Sequence, residues 1–280
     1  MTEKFLLPKR NSSIELLKII AIIMIVFSHA MAAWPSNEKY PYTIIQQGGQ
    51  YIDIWAATTD IQTLLIMIMK VCGQLGNVIF VSCSAWFLVE SKSLKFEKPI
   101  NLIIDNFLIS LIFVVVFLLC GVSIDKHLLV HSIFPFLFET HWFITCYVFL
   151  YVLHPILNII IDNLEEKRHR SYLIGCFFLY SFIAVLLPGK LYSNDLVGFI
   201  LIYFIIAYIK RYKTNFVNNN KLLKKIIIIT TIISLLCFAG FDLLGLRIHF
   251  LRNQMMRFCI FTYPFLLIIG ISLLCYFQTK

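Results

Sequence analysis

Glu15, Lys18 and His29 are the residues whose types and spacing could do chemistry together. All three fall in one apolar run, IELLKIIAIIMIVFSHAMAAW at 14–34, long enough to cross a bilayer as a helix. At ~3.6 residues per turn, Lys18 and His29 are about three turns apart and share a face, with Glu15 within roughly 60° of it. Ionisable groups along one side of a membrane helix are expensive to hold in lipid and read first as functional. A lysine near the mouth of a cavity is a point charge for phosphate. A histidine ~16 Å deeper suits general-base work on a hydroxyl, because its pKa lies near operating pH. That separation is about the reach of an extended pantetheine arm, so the spacing fits a coenzyme A thioester as donor. A blander reading of the same residues stays open, with Glu15 and Lys18 an interfacial i,i+3 pair and His29 a satisfied, bundle-facing histidine.

The elements that must position these groups are membrane helices. The 280 residues are 60% hydrophobic and 14% charged, with mean hydropathy +0.84, more apolar surface than one soluble core can take up. Eight apolar segments are expected to cross, at 14–34, 75–90, 100–121, 142–161, 171–188, 193–210, 222–241 and 256–277. The second follows DIQTLLIMIMKVCGQ, which reads equally as an interfacial helix or an extension of the span. Seventeen of the 24 Lys and Arg residues fall on one side if the N-terminus is cytoplasmic. They include Lys95, Lys98, Arg168, Lys210, Arg211 and Lys213. This bias predicts a cell-membrane protein with both termini inside and an even number of spans. It also accounts for the net charge of +9 without nucleic acid, since the cations are spread through short loops rather than gathered in a patch. The eight cysteines form no C-x-x-C pair and read as small buried hydrophobes, with neither a disulfide framework nor a metal site indicated. A-M-A-A-W is at best a weak cleavage site, so the first helix is expected to stay.

Four strings then resemble one family in register. R-N-S-S-I-E-L-L-K-I-I-A-I-I-M-I-V-F-S-H (10–29) looks like the first-helix signature of the integral-membrane acyltransferase type 3 family, with Glu15, Leu17, Lys18 and His29 in its acidic, Leu, Arg and His positions. Lys18 keeps the charge of the usual Arg but loses its bidentate fork. G-Q-L-G-N-V-I-F-V-S-C-S-A-W-F-L-V (73–89) resembles its G-[RK]-x-x-x-x-x-F-x-x-x-S-G-[YF]-F-L segment; Ser84 and Phe87 match, whereas Gln74 and Ala85 depart from it. H-W-F-I-T-C-Y-V-F-L-Y-V-L-H-P-I-L-N (141–158) resembles W-F-x-x-x-Y-x-x-x-Y-x-x-x-P-x-x-N, and 194–212 is similar to a segment of polysaccharide-modifying members.

The resemblance implies an all-α polytopic bundle of about ten helices, about eight of them here, forming a single domain over 1–280 that is expected to lack the family's C-terminal helices. It implies transfer of an acyl group, usually acetyl, from acyl-CoA to a sugar hydroxyl of an envelope or capsular polysaccharide or its lipid-linked precursor. No permanently bound cofactor is expected, only the donor, the sugar acceptor and the bilayer as partners. His29 is then the base, directly or through an acyl-histidine, and Lys18 with Glu15 serves the donor. Trp142, His141 and Glu139 are weaker acceptor-side candidates; Trp142 reads first as an interfacial anchor, and the other two as a solvated loop. His154 is assigned to packing, and Asp105 and Asn106 to helix-end caps or the site. Ser84 reads as a tight helix contact, and Arg247, Arg252 and Arg257 as lipid anchors. The competing reading is a non-catalytic component of polysaccharide transport or assembly, or an inactive truncated acyltransferase. Lys18, Gln74, Ala85 and the early stop favour it, and the retained His29 opposes it.

Overall fold

In lipid, an apolar run can satisfy its own backbone N–H and C=O groups only as a helix, and every regular element among the described residues is helical. The computed structural model describes residues 11–32, 60–91, 93–187, 195–245 and 260–279. The helices are α1 (Ser12–Ala32), α2 (Asp60–Leu88), α3 (Glu97–Leu119), α4 (Lys126–Ile133) and α5 (Trp142–Asp162). Next comes α6 (Glu166–Phe177), continued by a π-helical turn (Phe178–Ile183) and a short α-helical stretch (Ala184–Leu186). Then follow α7 (Asp195–Tyr212), α8 (Thr214–Val217), α9 (Asn220–Gly245) and α10 (Pro264–Gln278). Among the described residues, six segments, on α1, α2, α3, α5, α6 with its continuation and α9, are long and apolar enough to cross a membrane. The 18-residue α7 and 15-residue α10 coincide with the other two expected segments but are not among those six. The expected polytopic α-bundle is the architecture found. Residues 60–74 prove to be an extension, since α2 is one continuous helix of 29 residues.

Burial sorts the helices. The Ile68–Leu88 stretch of α2 is 67% buried, against 17% for the spans in α1, α3, α6 and α9, so α2 is central and those four face lipid. Its composition fits that place, because Ser82, Cys83, Ser84 and Ala85 are small and fully covered. Alongside it α7 buries Phe199, Ile202, Tyr203, Ile206 and Ala207. The outer faces of α1, α3 and α9 leave Ile, Leu, Val and Phe exposed, the surface expected against acyl chains. α1 and α2 run antiparallel at close range. A Cβ on Gly76 would lie 2.7 Å from the Ala21 carbonyl, and one on Gly73 2.2 Å from Ser28 Cβ. Small residues let membrane helices approach this closely and gain dispersion contact.

The starts of α1 and α3 and the ends of α2, α5, α7 and α10 gather at one end, the basic one. Asn11 Nδ2 donates to the Gln278 carbonyl (3.3 Å), so the first and last described helices meet there. The last carbonyls of a helix lack partners within it and attract cations, and α7 supplies them. Lys210 Nζ donates to the Trp86 carbonyl (2.6 Å), pairs with Glu90 (2.8 Å) and lies 4.7 Å from the Trp86 ring centre. Arg211 donates to the Ile161 carbonyl (2.7 Å) and pairs with Asp162, and Lys213 pairs with Glu166 (2.8 Å). Asn158 donates to the carbonyls of Leu88 and Ser91, both at 3.0 Å, and accepts from the Tyr203 hydroxyl (2.6 Å). Three elements thus meet at one amide. Asn158→Leu removes all three bonds and is expected to destabilise the bundle by about 1–3 kcal/mol, read as a lower midpoint of thermal unfolding in detergent; an unchanged midpoint would remove Asn158 from the framework.

Candidate active site

The buried stripe of α1, Ile14, Leu17 and Ala21, packs inward at helical spacing and leaves Glu15 and Lys18 at its edge. There they line a cavity of about 540 Å³ at the basic end. Asn11 starts α1 beside it, its Oδ1 accepting from the backbone N–H of Ser13 (3.1 Å) and Ile14 (3.3 Å), an N-cap. α2 contributes Ser84 and Phe87, α3 Lys98 and Pro99, and α5 Tyr147 and Tyr151. The Lys18 ammonium lies 5.4 Å from the centre of the Phe87 ring and 5.8 Å from that of Phe80, within cation–π range. Tyr147 and Tyr151 share the inner face of α5 one turn apart, and the Tyr151 hydroxyl donates to the Lys95 carbonyl (3.4 Å) just before α3. A cavity with two ammonium groups, one carboxylate and aromatic walls suits an anionic ligand that also carries apolar surface.

The buried His154 has a definite local duty. Pro155 has no N–H, so the Tyr151 carbonyl four residues back loses its helical donor. His154 Nδ1 hydrogen-bonds that carbonyl instead, while Nε2 is buried with no partner among the described residues. The packing role expected for His154 is therefore a repair of the α5 backbone behind the cavity wall. Asn106 is 2% exposed and faces into the bundle, whereas Asp105 points outward and is exposed.

The structure brings Glu15, Lys18 and Ser84 together but does not extend the same cavity to His29. His29 is exposed three turns further along α1, next to the Ser28–Gly73 contact. Trp142 is half-buried and packs edge-on against Phe143 (5.7 Å) and Phe199 (6.3 Å). His141 begins α5, half-buried, with no hydrogen-bond partner for Nδ1 among the described residues, and burial pushes its pKa below the usual histidine range. Glu139 is exposed, with a φ of 51°. These three lie at the far end of α5 from Tyr151 and do not line the cavity. Arg247, Arg252 and Arg257 lie outside the described residues.

Sequence reasoning missed Lys98 as a wall residue, because a lysine beside a helix start in a basic loop reads as an orientation charge. It also gave no role to Tyr147 and Tyr151, although their i,i+4 spacing within the third string was a signal.

No curated protein and no solved structure matches the chain. A family model, described as an acyltransferase domain, matches residues 11–280. That match takes in all four strings, apart from Arg10, and every wall of the cavity, and the chain belongs to the integral-membrane acyltransferase type 3 family.

Proposed function

We propose that this protein transfers an acetyl group from acetyl-CoA to a hydroxyl of a cell-envelope or capsular polysaccharide, or of its lipid-linked precursor, from the cell membrane with both termini cytoplasmic. The observation that carries this reading is the cavity at the basic end, where residues from three separate family-like strings converge on Lys18. The positive-inside bias supports a cytoplasmic position for that end, where acyl-CoA is found. Lys18 steadies the donor phosphates and Glu15 orients Lys18, while the pantetheine arm runs along α1 toward His29, ~16 Å away. The acceptor arrives from the other side, past Glu139, His141 and Trp142. His29 takes the hydroxyl proton as its oxygen attacks the thioester carbonyl. The tetrahedral adduct then collapses, breaks the C–S bond and expels the coenzyme A thiolate, which recovers the proton from the imidazolium.

The test is an NMR comparison of surface polysaccharide from cells with and without the gene. Loss of an O-acetyl signal, restored by this 280-residue chain alone, is the expected result. Identical spectra would remove the polysaccharide acceptor.

A further inference from the structure

We propose that Lys98 is a second donor-binding residue, forming with Lys18 a two-cation clamp for the pyrophosphate of a nucleotide-bearing acyl donor. This rests on the donor reading above and adds a residue and a selectivity to it. Lys18 alone is a point charge and lacks the fork by which a guanidinium grips two phosphate oxygens. The structure sets a second ammonium on the same cavity from a different helix, because Lys98 stands in the first turn of α3, where the helix dipole also favours an anion. Both lysines line this one cavity, and an anion held between two ammonium groups offsets their mutual repulsion.

Three other cations of this end are committed elsewhere. Lys210, Arg211 and Lys213 each hold a helix-end carbonyl, a carboxylate or both. Lys98 has no carboxylate partner among the described residues and is exposed where it meets the cavity. Lys18 and Lys98 bring one ammonium each to this cavity, and a pyrophosphate diester carries one negative charge on each of its two phosphates, so the pair can hold one phosphate apiece, which a single terminal phosphate does not offer. A volume of about 540 Å³ falls in the range of pockets that enclose small molecules, roughly 300–1,000 Å³. Tyr147, Tyr151 and Phe87 supply the apolar surface that the rest of such a donor needs.

Calorimetric titration of the purified full chain in detergent with coenzyme A, 3′-dephospho-coenzyme A and 4′-phosphopantetheine tests this. Lys98→Gln should weaken the first two by roughly tenfold, about the effect of one charge-assisted hydrogen bond, and phosphopantetheine far less. Lys98→Arg should restore most of the loss, which also shows that the site tolerates substitution. Equal affinity of Lys98→Gln and the unaltered chain for coenzyme A would overturn the assignment. So would an equal loss for all three ligands, or a loss confined to coenzyme A, which would place Lys98 at the 3′-phosphate. Failure of the unaltered chain to bind coenzyme A would instead overturn the donor reading itself, and it shows before any variant is made.

Discussion

His29→Ala should lower acyl transfer by about 10²–10⁴-fold while coenzyme A binding stays unchanged. The size is that of losing a positioned general base. The separation of the two effects comes from distance, since His29 stands three turns along α1 from Lys18 and does not line the cavity that holds Lys18. His29 is also exposed, so removing the imidazole opens no hole in the core and the variant should keep its thermal midpoint. The rate is read as transfer of labelled acetyl from acetyl-CoA to isolated polysaccharide, and binding by titration of the same preparation. Normal transfer by His29→Ala would remove the imidazole from the chemistry. Equal losses of binding and transfer would move it to the donor site.

Gly73→Val is expected to damage both stability and transfer. A Cβ at Gly73 would lie 2.2 Å from Ser28 Cβ and 2.3 Å from its Oγ, so α1 must move off α2. Overpacking of this kind costs typically 1–3 kcal/mol. The turn that shifts is the one carrying His29, and a displacement of about 1 Å at a reacting group can cost on the order of 10²-fold in rate. Gly175→Ala and Gly240→Ala are the controls, because nothing stands within 4 Å of a Cβ at either position and alanine is the better helix former. Gly73→Ala paired with Ser28→Gly removes the atoms that collide and should recover much of what Gly73→Ala alone loses. A thermal midpoint unmoved by Gly73→Val would show that the two helices do not depend on this contact.

The eight apolar segments were legible because bilayer thickness imposes a length that composition reveals directly. The first half of α2 was not, because Lys70, Gly73 and Gln74 interrupt its hydropathy; it forms a continuous helix whose later part is covered by protein rather than lipid, so its side chains need not all be apolar. Within α1, periodicity placed Glu15, Lys18 and His29 on one side correctly, since that follows from helix geometry alone. Lys98 was invisible as a wall residue for the complementary reason. Lys18 and Tyr151, which line the cavity with it, are distant in sequence, and no local spacing records that α1, α3 and α5 wall one space. His154 was legible as buried, but its duty depends on the carbonyl that Pro155 releases, which becomes apparent only when the hydrogen bonds of α5 are traced.

Proline within a membrane helix is a common place for a hinge, because the unmatched carbonyl lets the two halves bend. In α5 the carbonyl freed by Pro155 is already taken by His154, so bending there would break a buried bond. α5 therefore behaves as a strut, with Tyr147 and Tyr151 held at constant height on it. The yielding wall is α3, which touches mainly α4 and α5 and faces lipid along most of its length. Any widening of the cavity for a bulky ligand would therefore fall to α3, and with it Lys98, rather than to the tyrosine face.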